Sequence, residues 1–243
     1  FMGIGVMMIA HGLQKQLMGI RSVLEGFSVL TTGIFMSGYY VGYFIGSKTT
    51  PNFVSKVGHI RVFAAFASLA SLSALLAVVY VNPIMWTLSR FVTGISLVSC
   101  YVVTESWLND RATNKNRGQL LSAYMMVLFF GLAIGMLLLN VSEPQNYEPF
   151  ILVSVLLSIA LVPILLTKRP APKFKKIETI SITELYKISP LGAFSSFFTG
   201  VIHAAFFSLI SVYATLAKLS LLETSVLLFI ATIAGVLGQG PIG

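Results

Sequence analysis

Arg90 and Glu105 have the strongest claim to chemistry in this 243-residue chain. Both stand in WTLSRFVTGISLVSCYVVTESWLNDRATNKNRG, residues 86–118, a run apolar and long enough to cross a bilayer. A charge at the centre of a membrane helix costs roughly 2.5–3.5 kcal/mol on insertion scales, so it is rarely idle. Arg90 sits about six residues into its span, about 9 Å deep at a rise of 1.5 Å per residue. There it could hold an anionic substrate, organise a proton-linked carboxylate, or brace backbone carbonyls of a neighbouring helix. Glu105 lies about 22 Å further along the same helix, too far for the two to pair. Its expected work is a gate, pairing with Lys56, Arg61 or Arg111 when that end closes. Gly58 and Arg117, in the same two loops, complete the gate candidates. The alternative for Glu105 is an interfacial acid beside solvated bases, a contact that contributes little.

A second polar face lies on the first span. His11 and Lys15 are four residues apart, with Gln14 one step round the helix. Polar side chains inside a span face protein or water, so these three are candidates to line a central cavity, although Lys15 could instead snorkel to the interface. His203, in a later span, is a candidate for the opposite wall. A histidine there titrates near physiological pH when solvated, or is a buried ring satisfied by a neighbour. Tyr39 and Tyr43 share a helix face and supply aromatic area and hydroxyls; helix packing is the competing use. Gly42-x-x-x-Gly46 and Gly131-x-x-x-Gly135 read as close helix crossings rather than ligand sites. Cys100 is the single cysteine, and the three histidines are dispersed, so neither a disulfide nor a zinc spacing is expected. No cofactor and no metal are implied.

The elements that must hold these residues follow from composition. The chain is 56% hydrophobic and 10% charged, with a mean hydropathy of +0.88, against about 25% charged residues in soluble domains. That deficit marks an all-α polytopic membrane protein. Eight spans of about 20 residues can be drawn, near 1–19, 27–46, 60–81, 84–107, 119–140, 149–167, 190–216 and 221–240. The formal charge of +8 would point to nucleic acid in a soluble chain. Here twelve of the sixteen bases fall in alternate loops, at Lys48, Lys56, Arg61, Arg111, Lys115, Arg117, Lys168, Arg169, Lys173, Lys175, Lys176 and Lys187. The loop SEPQNYE on the other side holds Glu143 and Glu148 and no base. The positive-inside rule makes the basic side cytoplasmic, and nucleic-acid binding is not expected. The chain opens on an apolar Phe1, which reads as a fragment beginning inside its first span.

Residues 168–189 form the one long connection. KRPAPKFKK favours an extended strap on an anionic lipid surface, and Ser181 with Glu184 has the spacing of a capping box before a short interfacial helix. The expected division is a six-span bundle over 1–167, a cytoplasmic basic linker over 168–189, and the first two spans of a second bundle over 190–243.

With these loops, the layout resembles the major facilitator superfamily of secondary transporters. Residues 51–61, PNFVSKVGHIR, fall where that family has G-x-L-x-D-R-x-G-R-R. Lys56 and Gly58 match; Pro51, Ser55 and His59 depart, and Arg61 lies one place beyond the second Arg. Arg90-Phe-Val-Thr-Gly94 is similar to the family's R-x-x-x-G, and Asn116-Arg117-Gly118 to a turn common after span 4. The closing G-P-I-G would begin a second copy of the loop motif at Gly243. ESWLNDR, residues 105–111, looks like a bacterial branch whose cargo the resemblance does not supply. The missing Asp at Ser55 removes a charge the family uses to lock its cytoplasmic side, and Glu105 could substitute. Gly135 lacks the following Pro of the antiporter signature. The resemblance implies an MFS-type helical bundle in a cell inner membrane, a monomer that moves a small-molecule substrate by alternating access, with protons or another ion supplying the energy. It implies a transporter and not an enzyme; a membrane sensor on the same fold, and a membrane-embedded enzyme, are the other classes the sequence leaves open.

Overall fold

The computed structural model describes residues 1–167 and 181–242. The basic strap of the long connection and the motif position at Gly243 lie outside the described residues. Among the described residues the regular structure is helical throughout. It comprises α1 (Met2–Leu24), α2 (Val29–Val57), α3 (His59–Val79), α4 (Pro83–Arg111), α5 (Arg117–Leu137), α6 (Glu148–Ile159), α7 (Val162–Leu165), α8 (Ile182–Ile188), α9 (Pro190–Leu216) and α10 (Leu221–Ile242). A short 3-10 turn, Leu138–Val141, extends α5.

The ends of these helices are written in the sequence. Ser28 accepts from the Thr31 amide at 3.1 Å and starts α2. Asn82 accepts from Met85 at 2.9 Å, with Pro83 in the first turn of α4. Both are side-chain caps that satisfy amides the helix itself leaves open. Ser181 likewise accepts from the Glu184 amide at 3.1 Å, so the expected short helix forms as α8.

Six segments are long and apolar enough to cross a membrane, namely α3, α4, α5 with its 3-10 extension, α6 continued by α7, α9, and α10 to Gly238. The first two expected spans form as helices of 23 and 29 residues. They fall below that apolar threshold because they carry the polar residues of interest: His11, Gln14, Lys15 and Gln16 in α1, and the Tyr, Ser and Thr residues of α2. One expected boundary moves. The loop placed after residue 46 is helix: α2 runs on through Pro51 to Val57, and the chain turns only at Gly58, whose φ of +86° suits glycine. Pro51 withdraws an amide from the ladder, and three hydroxyls in the preceding turn bond back to carbonyls, Ser47 to Phe44, Thr49 to Ile45 and Thr50 to Gly46. Such bonds are a usual accompaniment of an interrupted membrane helix.

The six helices α1–α6 pack in a pattern with internal symmetry. α2 lies on α4 and α1 on α5; α3 lies on α4 and α1 on α6; α3 meets α6. Exchanging α1–α3 with α4–α6 turns each of these contacts into another of the same set, the relation expected of inverted repeats. α9 then rests on α1 and α2, and α10 on α5.

The closest crossings are built on glycine, as the two G-x-x-x-G patterns predict. A Cβ at Gly42 would strike the Phe91 carbonyl, one at Gly94 the Tyr39 carbonyl, and one at Gly135 the Ile9 carbonyl. At Gly131 it would lie 2.8 Å from both the Gly5 carbonyl and Met8. Lipid tails offer no hydrophobic incentive for helices to associate, so this backbone-to-backbone packing carries much of the cohesion. Hydroxyl pairs add to it: Thr50 to Ser99 at 2.7 Å across α2–α4, Ser73 to Thr93 at 3.0 Å across α3–α4, and Ser71 to Ser154 at 2.7 Å across α3–α6.

Candidate functional site

Gly94 sets the geometry of the site. Because α4 has no Cβ there, the α2 backbone at Tyr39 and Tyr43 settles directly on it. Arg90, one turn away on the same face of α4, is thereby brought over the Tyr39 ring, its guanidinium carbon 4.9 Å from the centroid. The R-x-x-x-G spacing thus has a mechanical meaning, with the glycine fixing the distance at which the arginine meets α2. The other face-sharing residues converge on the same ring. His11 of α1 stacks on Tyr39 at 5.2 Å with an interplanar angle of 21°, and Tyr43 approaches at 6.0 Å.

Lys15, one turn along α1 from His11, places its ammonium 5.1 Å from the Phe207 centroid of α9. Phe207 in turn packs on His203 at 4.5 Å. Arg90 and Lys15 both lie within electrostatic reach of His11, and Lys15 within reach of His203. Five of the cavity candidates therefore form one connected group: Arg90, Tyr39, His11 and Tyr43, and through electrostatics Lys15. His203 joins at its edge, exposed on α9, and Gln14 is buried beside His11 and Lys15 on α1.

The group's polar bookkeeping is unusual. Arg90 is 1% exposed, yet its Nε and Nη1 donors have no hydrogen-bond partner; the same holds for Nε2 of Gln14 and Nδ1 of His11. Buried polar groups are normally paired, and an unpaired buried charge costs several kcal/mol. Cation–π contact with Tyr39, worth about 0.5–2 kcal/mol, offsets only part of this. The one ion pair among the described residues, Arg21 with Glu25 at 2.5 Å, lies at the far end of α1. A hollow of about 290 Å³ opens beside His203 and Phe207, lined also by Thr199, Ile202 and Phe206. Another, of about 280 Å³ between the 3-10 turn and α6, is lined chiefly by apolar residues such as Leu138, Val141 and Leu152, away from the buried bases.

The gate candidates are not gathered in this structure. Glu105 is exposed and receives a long hydrogen bond, 3.4 Å, from the Tyr124 hydroxyl of α5, with no ion pair to Lys56, Arg61 or Arg111. Arg117 donates to Asn109 Oδ1 at 3.3 Å. Lys56 and Arg111 stand in the last turns of α2 and α4, Gly58 forms the α2–α3 turn, and Arg61 is exposed in the first turn of α3. His59, beside Gly58, contacts the Ser106 hydroxyl at 2.9 Å and ties α3 to α4 one residue from Glu105.

Three participants were not singled out from the sequence. Tyr101 packs on Tyr43 at 6.3 Å and donates to Met8 Sδ at 2.9 Å. It stands eleven residues from Arg90 and four from Glu105, on one α4 face, so helical spacing from the two charges was the available signal. Phe207 stands four residues from His203 and carried the same signal. Arg21 donates to the carbonyls of Pro144 and Gln145, closing the loop before α6 onto the end of α1; nothing in the local sequence marks that long-range contact.

The family model that matches this chain is that of the Major Facilitator Superfamily, over residues 1–243. Among curated proteins the chain is similar to the "Uncharacterized MFS-type transporter YcaD" of Escherichia coli, strains 536 and K12 DH10B, at 27% identity over 243 residues and 99% of the chain. The protein of the same name from Escherichia fergusonii matches at 25% over 245 residues, again across 99% of the chain. The chain spans 64% of the length of these relatives.

Proposed function

The chain belongs to the Major Facilitator Superfamily and is a multi-pass membrane protein, and we propose that it serves a transporter that moves a small solute by alternating access. The observation that carries this reading is the buried group around Arg90. Charged and polar side chains from α1 and α4 meet an aromatic of α2 deep in the bundle, and the α9 side chain Phe207 closes over Lys15. A site at the boundary between two bundles near the bilayer midplane is the arrangement alternating access requires. Relatives named as MFS-type transporters support the same activity.

In this reading residues 1–167 form one bundle, 168–189 a cytoplasmic linker, and 190–243 the start of the second bundle. The basic loops face the cytoplasm across an inner membrane, as the distribution of Lys and Arg implies. The protein works as a monomer, and a proton or other ion gradient supplies the driving force. Arg90, His11, Gln14, Lys15, Tyr39, Tyr43 and His203 sense cargo. Glu105 biases closure at the cytoplasmic end by meeting the bases at Lys56, Arg61 and Arg111 in the state where that end is shut. A ligand shifts such an equilibrium only by binding one state better than the other, so residues that touch cargo and residues that touch the gate have separable effects.

The test is uptake from a metabolite mixture into vesicles containing the intact protein, read by mass spectrometry against empty vesicles. At least one solute is expected to accumulate, and Arg90→Ala and Glu105→Gln to reduce its uptake at least tenfold. Accumulation of none, or uptake that survives both substitutions, overturns the reading.

A further inference from the structure

The charges buried around Tyr39 are all of one sign. Arg90 and Lys15 are 1% and 9% exposed, and no acid of the described residues forms an ion pair with either. The sequence has eight acids; Glu178 lies outside the described residues, and Glu25, Asp110, Glu143, Glu148, Glu184 and Glu223 stand at helix ends or in connections. The remaining one, Glu105, is about 22 Å along α4 from Arg90. Arg90 Nε and Nη1 and Gln14 Nε2 are buried donors with hydrogens to give and nothing to give them to. The surrounding side chains are aromatic, with Tyr39 and Phe207 presenting ring faces to Arg90 and Lys15 and Tyr43 packed at a tilt on Tyr39.

We propose that this group is the binding site for a small organic anion. Its acid group, a carboxylate or a phosphonate, is held by Arg90 and Lys15 with Gln14 as a neutral donor, and its apolar body lies against Tyr39 and Phe207. The chemistry is specific in three respects. An anion supplies the countercharge that two desolvated cations lack. A guanidinium offers several donors in a plane, which matches an acid group better than an uncharged carbonyl. A cationic cargo would meet two like charges with no acid to receive it. The proposal rests on the transporter reading only in treating the anion as cargo; binding itself is separate from movement.

The experiment is thermal unfolding of the intact protein in detergent with millimolar benzoate, phenylphosphonate or hexanoate, alongside the uncharged benzamide and the cationic benzylamine. At least one of the three anions is expected to raise the melting temperature by several degrees, with benzamide and benzylamine giving no comparable shift. The shift is expected to vanish in Arg90→Gln and Lys15→Gln and to persist in Lys15→Arg and in Glu143→Gln, which lies in a distant loop. Should Arg90→Gln lose its cooperative melt, the contrast between Lys15→Gln and Lys15→Arg decides. No shift from any of the three anions, a benzamide shift equal to benzoate's, or an anion shift that survives Lys15→Gln overturns the anion site. An anion-selective shift without counterflow of that anion in vesicles leaves the site standing and overturns the transporter reading. Solute uptake without an anion-selective shift does the reverse.

Discussion

Arg90 is where bracing and binding make opposite predictions. A brace is an arginine whose donors are used, and removing one partner of a buried polar pair costs about 3–5 kcal/mol. Here Nε and Nη1 are unused, and the guanidinium lies over the Tyr39 ring. Replacing it by Met removes a charge whose burial costs roughly 2.5–3.5 kcal/mol and forfeits a cation–π contact of about 0.5–2 kcal/mol. The desolvation term wins. Arg90→Met is therefore expected to melt at or above the temperature of the unsubstituted protein while abolishing transport, the usual exchange of function for stability. A marked fall in melting temperature would return Arg90 to the role of brace. The aromatic partner behaves differently. Tyr39→Phe keeps the ring face under Arg90 and His11 and is expected to melt within a degree or two of the parent. Tyr39→Leu strands the guanidinium and is expected to lose about 1–2 kcal/mol, seen in the same measurement. The sequence made these two residues visible individually, the arginine as a charge in an apolar run and the tyrosine by face-sharing with Tyr43. Their meeting was not visible, because it depends on how closely α2 approaches α4, and that distance is set by Gly94.

The glycines control that approach, and their roles divide by what a methyl group would meet. Gly94 and Gly135 face the backbones of α2 and α1; a carbonyl cannot swing aside as a side chain can. Gly94→Ala and Gly135→Ala are each expected to cost about 1–3 kcal/mol, the usual penalty for overpacking. Gly33, inside α2, has nothing within 4 Å of the same position. Gly33→Ala is expected to be neutral or to stabilise by about 0.5–1 kcal/mol through helix propensity. Thermal unfolding of the three variants side by side checks this; equal losses would mean that the crossings are looser than drawn. The helices themselves were readable from the sequence as apolar runs, and Ser181 with Glu184 announced the start of α8; the caps at Ser28 and Asn82 emerge only in the structure. The end of α2 was misjudged for a definable reason. Pro51 and the charges after it look like a loop to a reading based on apolarity, yet a membrane helix can continue as a polar helix beyond the bilayer until a residue such as Gly58 permits the turn.

The contacts between α1–α6 and the pair α9–α10 bear on motion. Asn140 Nδ2 at the end of α5 donates to Ser225 Oγ of α10 at 2.7 Å, Thr232 of α10 donates to Met136 Sδ at 3.2 Å, and the Tyr40 hydroxyl of α2 meets Ser208 of α9 at 3.2 Å. Ser211 fills the space that a side chain at Gly19 would occupy. Apart from Thr232, at the middle of α10, these residues lie in the halves of their helices remote from Lys56, Arg111 and Arg117, whereas Leu191, Phe194 and Phe197 in the opposite half of α9 are 60–78% exposed. If the two groups of helices rock about the Arg90 site, the contacts at this end must break once in every cycle. A covalent link there is the direct test. With cysteines at Asn140 and Ser225, mild oxidation is expected to stop transport by the intact protein and a reductant to restore it, while anion-dependent thermal shifts persist in the linked form. Cys100 is fully buried in α4, so it can remain in place without competing for the oxidant. Transport that continues at an unchanged rate in the linked protein would mean that this end stays closed throughout the cycle, and rocking of one bundle against the other would have to be abandoned for movement confined to the basic end.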